Sequence, residues 1–160
     1  MELLRSATLL AATITTGLMA GLFYAYACSV MPGLRRTDDR TFVGTMQSIN
    51  VAILNGWFAV CFVGALPATG AAAGLHLHRE GRAALPWTVA AFVLYAATLA
   101  VTAAVNVPLN NALDAAGEPG RVADLAAVRE SFEARWVRWN LVRTVTSVAA
   151  FACLVRALLL

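Results

Sequence analysis

The chain has 160 residues, of which 60% belong to the apolar set AVILMFWYC and 13% are charged, with a mean hydropathy of +0.71. Soluble domains are about 45 to 50% apolar and about 25% charged, so an ordinary water-soluble globule is excluded. The net charge of +3 would suit nucleic acid, but all twelve basic residues are Arg dispersed between apolar runs, with no basic stripe, and that class falls away too.

Between Arg5 and Arg35 lie 29 uncharged residues. A helix rising about 1.5 Å per residue needs only about 20 to cross the hydrocarbon core, so a first span is expected at about 7–30. Ala25-Tyr26-Ala27 before Cys28 resembles a signal-peptidase site. The run is much longer than a signal core of about 7 to 15 residues, and it reads as an uncleaved span.

From Thr41 to His78 no residue carries a fixed charge. The second span is expected at about 49–71, bent at Pro67, behind a polar leading turn with Thr45, Gln47 and Ser48. A short Arg-containing connection leads to a third span at about 86–105. That span is expected to end where Pro108 interrupts the polar segment Asn106-Val107-Pro108-Leu109-Asn110-Asn111. Gly117, Pro119 and Gly120 mark the one credible linker.

An extramembrane amphipathic segment at about 112–135 follows, with Val122, Leu125, Val128 and Phe132 at helical spacing. It runs into a fourth span at about 136–160. The expectation is an all-α, single-domain integral membrane protein over residues 1–160: an antiparallel four-helix bundle with helical extensions at one end. Gly17 and Gly21 form a small-xxx-small pair that serves packing within the chain or a homo-oligomer. Seven Arg residues (35, 36, 40, 121, 129, 135 and 138) flank the first and third loops against four (5, 79, 82 and 156) at the other end. The expected setting is a bacterial cytoplasmic membrane, and by the positive-inside rule the first end is expected to face the cytoplasm.

Polar residues collect at that end. On the fourth span Trp136, Asn140 and Arg143 fall at i, i+4 and i+7, with Trp139 four before Arg143. Tyr24, Tyr26, Asn50, Asn55, Asn106, Asn110, Asn111 and Thr144 reach the same level. Arg143 lies about 7 to 10 Å deeper than Trp136, and no span contains an Asp or Glu to pair with it. Its donors need backbone carbonyls, Asn side chains, water or an anionic ligand. The competing reading makes Trp136 and Trp139 interfacial anchors, lets Arg138 snorkel to the headgroups, and ties Arg143 into a structural knot with Asn106, Asn110 or Asn50.

Other chemistries find little support. His76 and His78 do not share a helical face and read as a solvated loop, so no metal site is expected. Cys28, Cys61 and Cys153 read as buried packing residues, with no CxxC pair. There is no phosphate loop, no serine elbow and no HExxH. Proton-coupled export would need an intramembrane carboxylate.

The segment Val105-Asn106-Val107-Pro108-Leu109-Asn110, followed by Trp139-Asn140-Leu141-Val142-Arg143-Thr144, resembles the paired signature of the anthrone oxygenase-like membrane proteins. Gly21-Leu22-Phe23-Tyr24, Met31-Pro32 and Met46-Gln47-Ser48-Ile49-Asn50 fit as well. The resemblance implies a monooxygenase acting on a hydrophobic, anthrone-like or phenolic aromatic, with O2 as co-substrate and neither flavin nor metal. Arg143, Asn106, Asn110 and Asn140 would then form the catalytic oxyanion site. Tyr24, Asn50, Trp136, Trp139 and Thr144 would bind the substrate. A general base is missing from the spans, leaving Tyr24, Tyr26, Asp38, Asp39, Glu133 or water. The alternative is a non-catalytic bundle that binds a lipid, a quinone or a partner membrane protein, or a structural subunit.

Overall fold

Chains rich in apolar residues bury their backbone polar groups in helices when lipid surrounds them, and this chain does so almost throughout. A computed structural model describes residues 1–77 and 82–160. The helices are α1 (Glu2–Ala25), α2 (Met31–Leu34), α3 (Asp39–Ala52), α4 (Gly56–Leu75), α5 (Leu85–Val101), α6 (Val107–Ala115) and α7 (Leu125–Leu158). α1 passes into α2 through a π turn at Tyr26–Val30, and α5 into α6 through another at Thr102–Asn106. Four continuous helical stretches are long and apolar enough to cross a membrane: Glu2–Leu34, Gly56–Leu75, Leu85–Ala115 and Leu125–Leu158. The chain is a multi-pass membrane protein.

α1, α4, α5 and α7 close a ring, each packed on its two neighbours, which makes the bundle antiparallel. Its core is built from small residues, Ala12, Ala65, Ala72, Ala91 and Ala150, with Met19, Phe23, Tyr95 and Leu154 between them. Small side chains let helix backbones approach where lipid supplies no hydrophobic drive. Most hydroxyls inside the bundle bond their own helices, as Thr69 does to the Ala65 carbonyl at 2.9 Å and Ser147 to that of Arg143 at 2.6 Å. Two hydroxyl bonds among the described residues cross between bundle helices: Thr98 to Thr146 at 2.8 Å, and the buried Tyr95 hydroxyl to the Phe62 carbonyl at 2.9 Å. A Cβ on Gly17 would lie 2.8 Å from the Phe151 ring, whereas one on Gly21 meets nothing within 4 Å. Gly17 therefore serves packing of α1 on α7. Gly17→Leu should lower thermal stability in detergent by about 1 to 3 kcal/mol, with Gly21→Leu near wild type; equal losses would refute this assignment.

α7 has 34 residues, about 51 Å of helix against a hydrocarbon core of about 30 Å. The surplus forms a headpiece with α2, α3 and α6, whose own core is Met31, Phe42, Val43, Met46, Leu113, Phe132 and Trp136. Asp38 caps α3 through the Thr41 amide at 3.0 Å, and Asp124 caps α7 through the Ala127 amide at 2.9 Å. The Thr41 hydroxyl and amide hold the Asp38 carboxyl below its ordinary range. That cap therefore persists into acid and is lost only as pH falls through the depressed value. Gln47 Nε2 closes the end of α6 by donating to the carbonyls of Leu113 at 2.9 Å and Gly117 at 3.0 Å. Gly117, at φ +91°, turns the chain out of the helix.

Two boundaries differ from the expected ones. The second span is Gly56–Leu75 rather than about 49–71, because the helix stops at Ala52 and restarts under a fresh cap, Asn55 Oδ1 accepting from the Phe58 amide at 3.0 Å. Pro108 does not end the third helix. A proline lacks an N–H and clashes with the carbonyl four residues earlier, here Ala104. That residue lies inside the π turn, whose wider backbone admits the ring and carries the helix on to Ala115. Pro32 stands in the same relation to Cys28 in the first π turn.

His76 is not a solvated loop residue. It is 7% exposed at the end of α4, its Nδ1 2.7 Å from the Ala72 carbonyl. His78 and Arg79 lie outside the described residues. Cys61 and Cys153 pack against the core as expected, whereas Cys28 is exposed on the outer face.

Candidate functional site

The break between α3 and α4 and the π turn between α5 and α6 occur at the same level and leave a space between them. It is a cavity of about 630 Å³, largely apolar, lined by both segments together with parts of α1 and α7. Asn106, Asn110 and Asp114 succeed one another at four-residue intervals on its third-span wall. Phe23 and Tyr26 come from the first span, Asn50 from α3, Phe58 and Phe62 from α4, and Trp136 and Arg143 from α7.

Arg143 is 6% exposed. Its guanidinium carbon stands 4.6 Å from the Phe23 ring centre and 5.2 Å from that of Trp136, so two aromatic faces replace part of its hydration. Nη2 donates to Asn140 Oδ1 at 2.9 Å, and Asn140 Nδ2 donates to the Phe23 carbonyl at 3.1 Å. That carbonyl lies just before the first π turn, where the loosened backbone leaves a lone pair available. Asn140 thus fixes the arginine to α1. Nε has no hydrogen-bond partner among the described residues.

Asn106 is fully buried, and neither its Oδ1 nor its Nδ2 has a partner among the described residues. An amide buried without partners is costly, so its place on a cavity wall argues for a ligand that both donates and accepts. Asn106→Leu should therefore raise thermal stability by about 1 to 3 kcal/mol while weakening ligand binding; a lower melting temperature would contradict the assignment.

Trp136 is no interfacial anchor. It is 4% exposed, its indole N–H donates to Asn110 Oδ1 at 2.8 Å, and its ring lies between Tyr26 (5.6 Å) and Phe132 (6.1 Å). Arg138 is exposed.

Of the expected site residues, Arg143, Asn106, Asn110, Asn50 and Trp136 converge on the cavity, and Asn140 supports it from behind. The other three do not line it. Tyr24 is 58% exposed on the outer face of α1. Trp139 is half-buried beside the inward line of 136, 140 and 143. Thr144 is buried with its hydroxyl on the Asn140 carbonyl at 2.9 Å. The structural knot expected for Arg143 with Asn106, Asn110 or Asn50 is not formed either; its partner is Asn140.

Among the expected bases, Tyr26 lines the cavity, Asp38 caps α3, and Asp39 and Glu133 bind Arg129 at 3.0 and 2.7 Å. The sequence reading missed Phe23, Phe62, Met46 and, above all, Asp114. It assigned residues after 112 to an extramembrane segment, whereas the uninterrupted helix carries Asp114 to the cavity mouth. Asn50 Nδ2 donates to Asp114 Oδ1 there at 3.3 Å.

No curated protein and no solved structure matches the chain. The profile of the family described as Anthrone oxygenase matches residues 57–153, which hold the third-span asparagines, Trp136, Asn140 and Arg143. With more than half of its length and most of the cavity's polar wall inside that match, the chain belongs to the anthrone oxygenase family.

Proposed function

We propose that the chain is a membrane oxygenase that needs no bound cofactor and acts on a planar, anthrone-like or phenolic aromatic taken from the bilayer. The observation that carries this reading is Arg143, a buried cation without a carboxylate, held between aromatic faces beside an apolar cavity and next to the unpartnered Asn106. Such donors stabilise a developing oxyanion most where water is excluded. An anthrone loses a benzylic proton to give an anion delocalised onto oxygen, and that anion reduces dioxygen directly. The overall change, CH2 + O2 → C=O + H2O, balances without a further reductant.

Phe23, Tyr26 and Phe62 supply aromatic contacts for a flat ring system, with Trp136 packed behind them. The α4 side of the cavity includes Ala59 and Val63, both exposed on the outer surface, so a lipophilic molecule enters sideways from lipid. The Arg-rich end, with the headpiece, faces the cytoplasm.

The test is oxygen uptake by purified protein in lipid nanodiscs supplied with anthrone. One O2 consumed per quinone formed, at a rate well above protein-free nanodiscs, is expected. Binding without uptake would replace the reading with that of a non-catalytic carrier of aromatic molecules.

A further inference from the structure

We infer that Asp114 is the proton acceptor of this cavity, taking the benzylic C–H proton of a substrate whose oxygen lies against Arg143 and Asn106. The inference rests on the oxygenase reading for its substrate class. Asp114 is the only carboxylate among the described lining residues. No cation pairs with it among those residues, unlike Asp39 and Glu133, which share Arg129, or Glu118, which pairs with Arg121 at 3.2 Å. Its one hydrogen-bond partner among the described residues is the uncharged amide of Asn50, itself 8% exposed, which orients the carboxylate.

The position is also one that helix formation alone disfavours. Asp114 sits in the last turn of α6, where the helix dipole opposes a negative charge. A local rule broken beside a cavity points to use rather than to stability.

Spacing agrees with the role. From Asn106 to Asp114 the helix rises about 12 Å. That is close to the span of an oxyanion contact, one ring and a proton-transfer contact in line, roughly 10 Å. The substrate would then lie with its oxygen at the closed end and its acidic carbon toward the mouth. Tyr26, the other lining group able to exchange a proton, is a phenol, a proton donor rather than a base as it stands.

In the first step an Asp114 oxygen takes the proton, the C–H pair enters the ring system, and charge appears on the oxygen held by Arg143; nothing is oxidised. Dioxygen, the oxidant, then accepts the carbon's electron pair as the C–O bond forms, and the Asp114 proton passes to the terminal peroxide oxygen. Asp114 next takes the second C–H proton as C=O forms and the O–O bond breaks. That proton joins the departing hydroxide as water.

The test separates proton transfer from oxidation. Full-length protein in nanodiscs is mixed with anthrone in deuterated buffer without oxygen, and deuterium at the methylene carbon is followed by mass spectrometry. Wild type should accelerate exchange over protein-free nanodiscs. Asp114→Asn should lose about 100-fold or more of that acceleration, Asp114→Glu should recover part of it, and Glu118→Gln, an exposed loop acid, should match wild type. Asn50→Leu, which withdraws the orienting amide, should slow exchange and decides the matter if Asp114→Asn does not fold. Wild-type exchange by Asp114→Asn, loss confined to Tyr26→Phe, or no exchange by wild type that binds anthrone would each overturn the assignment. Exchange without oxygen uptake would leave Asp114 as the base and remove the oxygenase reading. Equal oxygen uptake by wild type and Asp114→Asn would do the reverse.

Discussion

Replacing Arg143 by Met should cut anthrone turnover by about 10² to 10³, the loss typical of removing an oxyanion donor, without weakening the fold. The guanidinium is buried without a carboxylate, and its one side-chain partner is Asn140. An isosteric apolar chain removes a desolvated charge and keeps contact with Phe23 and Trp136, so the melting temperature should stay level or rise. Arg143→Lys should not rescue turnover. An ammonium gathers its three donors on one atom and lacks the planar fork that reaches Asn140 and the cavity at once. Steady-state oxygen uptake and thermal unfolding measured on one preparation check both halves. A variant that unfolds would assign Arg143 to structure alone.

Arg129→Met should have the opposite signature, a large loss of stability with an indirect loss of activity. Its guanidinium donates to Glu133 at 2.7 Å, Asp39 at 3.0 Å, the Thr37 carbonyl at 2.9 Å and the Arg35 carbonyl at 2.9 Å, and it covers the Phe42 ring at 4.5 Å. One side chain thereby ties the 35–39 loop and the start of α3 to α7. Breaking a buried pair costs about 3 to 5 kcal/mol, but water reaches Asp39 here, so about 2 to 3 kcal/mol is expected. Faster proteolysis within residues 35–39 should accompany it, because that loop loses its anchor. Unchanged stability and proteolysis would show that the hydrophobic headpiece core holds the loop by itself.

How far the sequence reveals this arrangement differs from element to element. The four spans follow from charge gaps, since a charge at membrane depth is too costly to be common. The inward face of α7 is legible for a related reason: Trp136, Asn140 and Arg143 are polar enough to mark it. On α1 that marker is absent. Residues on both its inner and outer faces are apolar or aromatic, so periodicity does not separate Tyr24, which faces outward, from Phe23 and Tyr26, which face the cavity.

The third span shows a different limit. Proline ordinarily ends a helix, and the π turn that accommodates Pro108 has no sequence signature of its own. A third span ending at about 105 leaves Asp114 out of view, and it reaches the cavity only because the helix continues. Similarly, the Asn55 cap that divides α3 from α4 reads on sequence as one more uncharged residue in a long apolar run, although that break forms half of the cavity.

The central claim is that this cavity stabilises an aromatic oxyanion. The most direct measurement is the ionisation of a bound dihydroxyanthraquinone, whose phenolate absorbs at longer wavelength than its phenol. In wild-type protein the bound dye should ionise at least about one pH unit below its value in protein-free nanodiscs, equivalent to about 1.4 kcal/mol of preference for the anion. Arg143→Met should abolish that shift while still binding the dye. A bound dye that ionises at the same pH in both proteins and in lipid alone would contradict the account.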